Sequence, residues 1–169
     1  TAYQIVTPSK WLSNCVSESN IMNNWPVLAV PNPIDTFYWK PLDKNISREK
    51  LNLPIGVQLI LFGALGADED PRKGYDLLLS ALEYLKNHSI AKDFELVIFG
   101  HNKIKSKINF NFPVHYMGRL NDDSSLRTLY SAADIMVIPS RQDNLPNTGV
   151  EALACGTPIV SFNIGGLPD

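Results

Sequence analysis

Short apolar runs alternate with helical spacing along most of this chain, and that alternation constrains the fold more than any other feature. Runs at residues 59–65, 95–99, 114–117, 135–138 and 158–162 read as strands. Several stop at a breaker: Gly100, Gly118 or Pro139. Between them lie helical patterns at 74–87, 124–132 and 148–154. The first carries Leu77, Leu78, Ala81, Leu82 and Leu85 on one side. Strands that alternate with helices join through right-handed crossovers, which makes the sheet mostly parallel and covers both its faces.

Upstream the pattern is looser. Residues 3–7 and 27–30 read as strands, with Ser9 placed to cap a helix over 10–19. Pro31-Asn32-Pro33 is a rigid turn. Residues 36–53 read as irregular, with one helical turn at 47–51 framed by Ser47 and Lys50. The expected fold class is α/β, a Rossmann-like, mostly parallel sheet with helices on both faces. In such sheets ligands sit beyond the carboxyl ends of the strands, which directs attention to the loops after Leu65, Phe99, Met117, Ile138 and Phe162.

The 169 residues, 44% of them hydrophobic, suffice for one globular domain with a core. No apolar stretch reaches transmembrane length, and no signal-peptide layout opens the chain. A formal charge of −2 gives no bulk case for nucleic acid. Cys15 and Cys155 lie far apart without metal-ligand spacing, and Cys155 reads as a buried free thiol. The expected compartment is cytoplasmic. Both ends read as cut: a strand at once at the start, Gly165-Gly166-Leu167-Pro168-Asp169 as loop chemistry at the finish. The chain is therefore expected to be a single domain over 1–169, excised from a longer protein.

Three constellations carry chemistry. In the first, Asp143 sits in a polar loop after the 135–138 run, and Glu151 is expected in the first turn of the helix that opens near Asn147 or Thr148. Free N–H groups at a helix start are where proteins hold phosphates. In the second, Pro71-Arg72-Lys73-Gly74 joins a strand to a helix, where two cations would neutralise a diphosphate; a solvated loop is the ordinary reading of a lone Arg-Lys pair. In the third, Gly165-Gly166 lets the backbone approach a ligand or simply forms a turn. Gly63-Ala64-Leu65-Gly66-Ala67 is not a dinucleotide fingerprint, and no P-loop occurs. His88 reads as a helix-end residue, His101 as a loop residue and His115 as structural; Lys103, Lys105 and Lys107 read as a solvated face.

Taken together, the residues resemble the C-terminal, donor-binding domain of family-4 retaining glycosyltransferases, which have the two-domain GT-B fold. The resemblance runs through Thr7-Pro8-Ser9-Lys10-Trp11, Pro31-Asn32-Pro33-Ile34-Asp35, Arg72-Lys73-Gly74, Phe99-Gly100 and Gly118. It continues through Tyr130-Ser131-Ala132-Ala133-Asp134, Pro139-Ser140, Glu151-Ala152, Gly156-Thr157-Pro158 and Gly165-Gly166. It implies that Glu151 binds ribose hydroxyls, that Asp143 contacts the transferred sugar and that Lys73 holds the donor diphosphate. It also implies that Asn147 and Thr148 meet the phosphate at the helix start and that Arg119 lines the nucleobase pocket.

Three residues depart from the family pattern. Asp143 stands for the usual Glu. Ala64, after Gly63, replaces an arginine whose charge Arg72 is a candidate to supply. Pro146 occupies a usual glycine position and has no N–H to offer. The implied partners are a nucleoside-diphosphate sugar and a glycan or lipid-linked acceptor held by the missing N-terminal domain. No metal or other cofactor is required, and the isolated fragment is expected to be inactive. Peripheral membrane association of the full-length protein stays open, with bacterial surface-polysaccharide assembly as the implied setting. Two alternatives remain: a non-catalytic nucleotide-sugar-binding module, marked by Asp143 and Ala64, and a nicotinamide-dependent oxidoreductase, against which the missing glycine fingerprint counts.

Overall fold

A computed structural model of the chain describes residues 3–63, 70–87, 94–100 and 112–169. Ala64, His88, His101, Lys103, Lys105 and Lys107, and the end of the strand expected at 59–65, lie outside the described residues. The chain opens with β1 (Ile5–Thr7), α1 (Lys10–Glu18) and β2 (Val27–Ala29). Ser9 caps α1 as expected, its hydroxyl oxygen accepting the Leu12 N–H at 3.1 Å. Next comes α2 (Lys44–Lys50). It starts three residues before the expected turn because Asp43, not Ser47, is the cap; the Asp43 carboxylate accepts the Ile46 N–H at 2.9 Å.

From β3 (Gln58–Gly63) onward the expected alternation is present. A 3₁₀ turn at Pro71–Lys73 leads into α3 (Tyr75–Asn87), followed by β4 (Phe94–Phe99) and β5 (Val114–Tyr116). Then come α4 (Asp123–Ala132), β6 (Ile135–Ile138), α5 (Asn147–Ala154) and β7 (Ile159–Ser161). Asp122 caps α4 by accepting the Ser125 N–H at 2.8 Å.

The seven strands among the described residues do not form one sheet. β1 and β2 pair in parallel as a two-stranded sheet, while the other five form a parallel sheet in the order β5-β4-β3-β6-β7. Strict alternation sends side chains of β3 and β4 to two cores. Leu59, Leu61, Val97 and Phe99 pack with Leu129, Tyr130 and Ala152 of α4 and α5. Phe62, Leu96 and Ile98 pack with Tyr75, Leu78 and Leu82 of α3. Helices thus cover both faces, and each such apolar side chain stabilises the fold by about 1.5–3 kcal/mol relative to exposure.

Strand order reverses between β3 and β6. From β3 the chain steps outward to β4 and β5, then returns to the other side of β3 as β6 and β7. Register keeps the carboxyl ends level, Gly63 opposite Phe99 and Phe62 opposite Val137. Such a switch point leaves a crevice at the strand ends.

Candidate functional site

Two segments meet over that crevice, one following β3 and one following β6. Gly74 ends the 3₁₀ turn in left-handed backbone, φ 66°. A Cβ there would lie 1.8 Å from the Pro139 carbonyl oxygen, so only glycine permits the approach. Arg141 completes the junction. Its N–H donates to the Arg72 carbonyl at 2.7 Å, and its guanidinium donates to the Pro71 carbonyl at 2.9 Å and to both Asp76 oxygens at 2.7 and 2.6 Å. The fork of hydrogen bonds holds the Asp76 carboxyl down at a pKa of about 2.

This junction aims Lys73 and Asp143 at each other, Nζ to Oδ2 at 2.9 Å. Ser140 donates its hydroxyl to the same oxygen at 3.1 Å, and the Asn144 N–H donates to Oδ1 at 3.0 Å. The glycine pair after β7 closes on this loop. The Gly166 N–H donates to the Asp143 carbonyl at 3.1 Å, and a Cβ on Gly165 would lie 2.0 Å from that oxygen. Of the two readings of Gly165-Gly166, the turn is the one observed: the Leu167 N–H donates to the Ile164 carbonyl at 3.2 Å, and this turn packs on the Asp143 loop. Asn144 is held in turn by the Ser9 hydroxyl, which ties the loop to the cap of α1.

The crevice is a cavity of about 600 Å³, within the range of sites for small organic ligands. Gly63, Phe99 and Gly100 wall it at the strand ends, Arg119 and Asn121 on one side, Lys73, Ser140 and Asp143 on the other, and Asn147 and Thr148 at the start of α5. Among the described residues its charged side chains are two cations, Lys73 and Arg119, and one carboxylate, Asp143. The first residue before α5 is Pro146, which supplies no side-chain cap. Among the described residues the Asn147 and Thr148 N–H groups have no acceptor, whereas the Gly149 N–H is bonded to the Pro146 carbonyl at 2.9 Å. Two cations among the described lining residues and free amides at one helix start suit an anion.

Of the residues singled out in the sequence, Lys73, Asp143, Asn147, Thr148, Arg119 and Gly63 share this cavity. Two do not. Arg72 turns to Asp70, which accepts its guanidinium at 3.0 and 2.8 Å and its backbone N–H at 3.0 Å. Glu151 is the fifth residue of α5, in its second turn rather than its first. It opens into an adjoining pocket of about 100 Å³ with Asn32, Asp35, Trp39 and Asn147. Burial, with the Asp123 charge, pushes its pKa up against the pull of a hydrogen bond from the Tyr130 hydroxyl at 2.9 Å.

Asn32 went unassigned in the sequence, yet it borders both pockets and donates to the Asn147 side-chain oxygen at 2.9 Å. Its setting between two prolines was the available signal. His115 pairs with Glu95 across β4 and β5 at 2.5 Å, a structural role as expected. Both cysteines are free, Cys155 buried and Cys15 exposed. No helix among the described residues is long and apolar enough to cross a membrane.

Known proteins share this arrangement of strands and loops. The chain is 29% identical over 156 residues to a D-inositol 3-phosphate glycosyltransferase of Acidothermus cellulolyticus, an alignment covering 83% of this chain and 34% of that protein. It therefore spans about a third of that relative's length. A sucrose-phosphate synthase of Thermosynechococcus elongatus superposes on 99% of this chain and 42% of its own, with a TM-score of 0.80 and 22% identity. HepE of Anabaena, solved in complex with UDP-glucose, covers 96% of this chain and 45% of its own, with a TM-score of 0.69 and 16% identity. The sequence model described as Glycosyl transferases group 1 matches residues 57–169. That match covers well over half of the chain, and the protein belongs to the glycosyl transferases group 1 family.

Proposed function

We propose that this chain is the donor-binding part of a glycosyltransferase that takes a sugar from a nucleoside diphosphate and transfers it, with retained anomeric configuration, to a glycan or lipid-linked acceptor. The observation that carries the reading is the convergence of Lys73, Asp143 and the unbonded Asn147 and Thr148 amides on one cavity. A diphosphate there meets a cation and a helix start together. In the transfer, the bond from the anomeric carbon to the terminal phosphate oxygen breaks, and the diphosphate leaves with the electron pair. Lys73 and the α5 amides stabilise that departing charge in place. The acceptor oxygen bonds to the anomeric carbon as its proton passes to the departing diphosphate.

Asp143 orients the sugar hydroxyls through the carboxylate that Lys73 and Ser140 fix. Glu151, one pocket further, takes the ribose hydroxyls, and Arg119 borders the base. HepE, of the same fold, was solved with UDP-glucose, which supports a nucleotide sugar as the ligand class. The acceptor is held by the remainder of the full-length protein, so this chain alone binds donor without transferring it.

Calorimetry of UDP-, GDP- and ADP-sugars tests the reading. One of them binds; absence of binding by all at millimolar concentration, with the protein folded, refutes it. In the full-length protein Asp143→Ala lowers transfer on the order of 100-fold, as expected for lost sugar positioning, with little change in affinity for the free diphosphate. Unchanged transfer removes Asp143 from the site.

A further inference from the structure

Tyr130 is wholly buried, yet it carries a hydroxyl that needs a partner. Its ring lies edge-on to Phe99 and tilted against Trp39, each at 6.0 Å between centroids. Its backbone carbonyl accepts the Thr157 hydroxyl at 2.5 Å. Ring and backbone are thus fixed from several sides, and the hydroxyl has one direction to point. It donates to Oε2 of Glu151 at 2.9 Å. That contact takes up one carboxylate oxygen from the core side and leaves Oε1 for the pocket shared with Asn32, Asp35 and Asn147.

The fold gains little from an acid in this place. Burial and the Asp123 charge disfavour the ionised form, and the Tyr130 hydrogen bond only partly offsets them. A glutamine would accept the same Tyr130 hydrogen bond without the cost of a buried charge. A held carboxylate with one oxygen free is suited to accept from two adjacent hydroxyls.

We propose that Tyr130 is a positioning residue for nucleoside recognition: its hydroxyl holds Glu151 so that the free carboxylate oxygen faces the vicinal diol of a ribose. The inference rests on the reading that Glu151 binds the ribose, and it adds a residue that never touches the ligand. Tyr130 acts through orientation and through charge. The ionisable groups around the Glu151 carboxylate are Tyr130 and Asp123 from α4, Asp35 from the loop after β2, and Cys155 at the end of its own helix. Among the described residues none of these is a cation, and Arg127 of α4 acts on Cys155, so the Tyr130 hydroxyl is the group that favours the ionised carboxylate.

Tyr130→Phe removes the hydroxyl and keeps the ring. UDP, GDP and ADP are titrated against the full-length protein, and the tightest binder is then compared with its 2′-deoxy and 3′-deoxy forms. The readout is the ratio of ribo to deoxy affinity, which a partial loss of folded protein does not alter. Tyr130→Phe is expected to lower that ratio roughly tenfold, the scale of one hydrogen bond to a charged group. It also moves the acid-side loss of ribonucleotide affinity to higher pH, because Glu151 has lost the bond that favours its charge. Glu151→Gln serves as the control. If Glu151→Gln lowers the ratio and Tyr130→Phe does not, the positioning role is wrong and the ribose contact stands. If Glu151→Gln leaves the ratio unchanged, the ribose contact itself is wrong and the inference falls with it.

Discussion

The two sheets of this chain are built from similar strands and reach opposite outcomes. In the five-stranded sheet Leu59, Leu61 and Leu96 are 0% exposed. In the two-stranded sheet Val6 is 59% exposed and Leu28 is 50% exposed. Both sheets are parallel, and parallel sheets occur almost only where both faces are covered. A pair of strands alone is at best marginally stable in water. We propose that β1, α1 and β2 complete a second α/β layer supplied by the rest of the full-length protein, which agrees with relatives about three times as long. The cavity reflects the same division: its walls come from the five-stranded sheet and its loops, and the smaller sheet contributes Asn32 at the rim.

The largest test of that contrast is stability. Leu61→Ala is expected to cost about 2–5 kcal/mol by chemical denaturation, because it leaves a cavity in a covered core. Val6→Ala in the same chain should stay within about 0.5 kcal/mol, and the gap should narrow in the full-length protein, where Val6 becomes covered. A Val6 cost equal to that of Leu61 in the chain alone would break the comparison. Next is ligand affinity. Lys73→Ala should cost about 1.5–3 kcal/mol of nucleoside-diphosphate binding and leave the bare nucleoside unaffected. Arg72→Ala, at a side chain engaged by Asp70, should change neither, which calorimetry would show.

The smallest effect concerns Glu151. Its raised pKa in the fold means that the protonated form is the better-tolerated one, so stability is fullest at low pH and declines as pH rises through the folded value. Glu151→Gln should therefore raise the melting temperature at neutral pH, by at most about 1 kcal/mol in stability terms for a carboxylate that water still screens. The gain should vanish below the ordinary glutamate pKa of about 4.3. A gain that persists at low pH would mean that charge is not its cause.

The alternation of apolar runs made the α/β class and most strand positions legible, because period-2 and period-3.6 patterns are local. Membership in one sheet or the other is not local: the runs at β1 and β3 look alike, and only strand pairing separates them. At the site, Lys73 and Asp143 were legible as residues following strand ends. The directions of neighbouring side chains were not. Arg72 and Lys73 are adjacent in a 3₁₀ turn and point apart, and Asp70, the cap of that turn, captures the first. Glu151 moved to the second turn because α5 begins at Asn147, directly after Pro146. Tyr130 stands in the helix pattern and in the run that carries the resemblance, but no role was legible, since its hydroxyl finds its partner 21 positions away.

The diphosphate site proposed at the start of α5, at the mouth of the five-stranded sheet, is open to a direct test. Backbone amide shifts read this directly during titration of isotope-labelled protein with UDP, GDP and ADP. The expected result is saturable movement of the Asn147 and Thr148 amides with Gly63 and Gly100, with Val6 and Leu28 unmoved, and its loss in Lys73→Ala. A folded protein whose Asn147 and Thr148 amides stay in place at millimolar concentrations of all three nucleotides would contradict it.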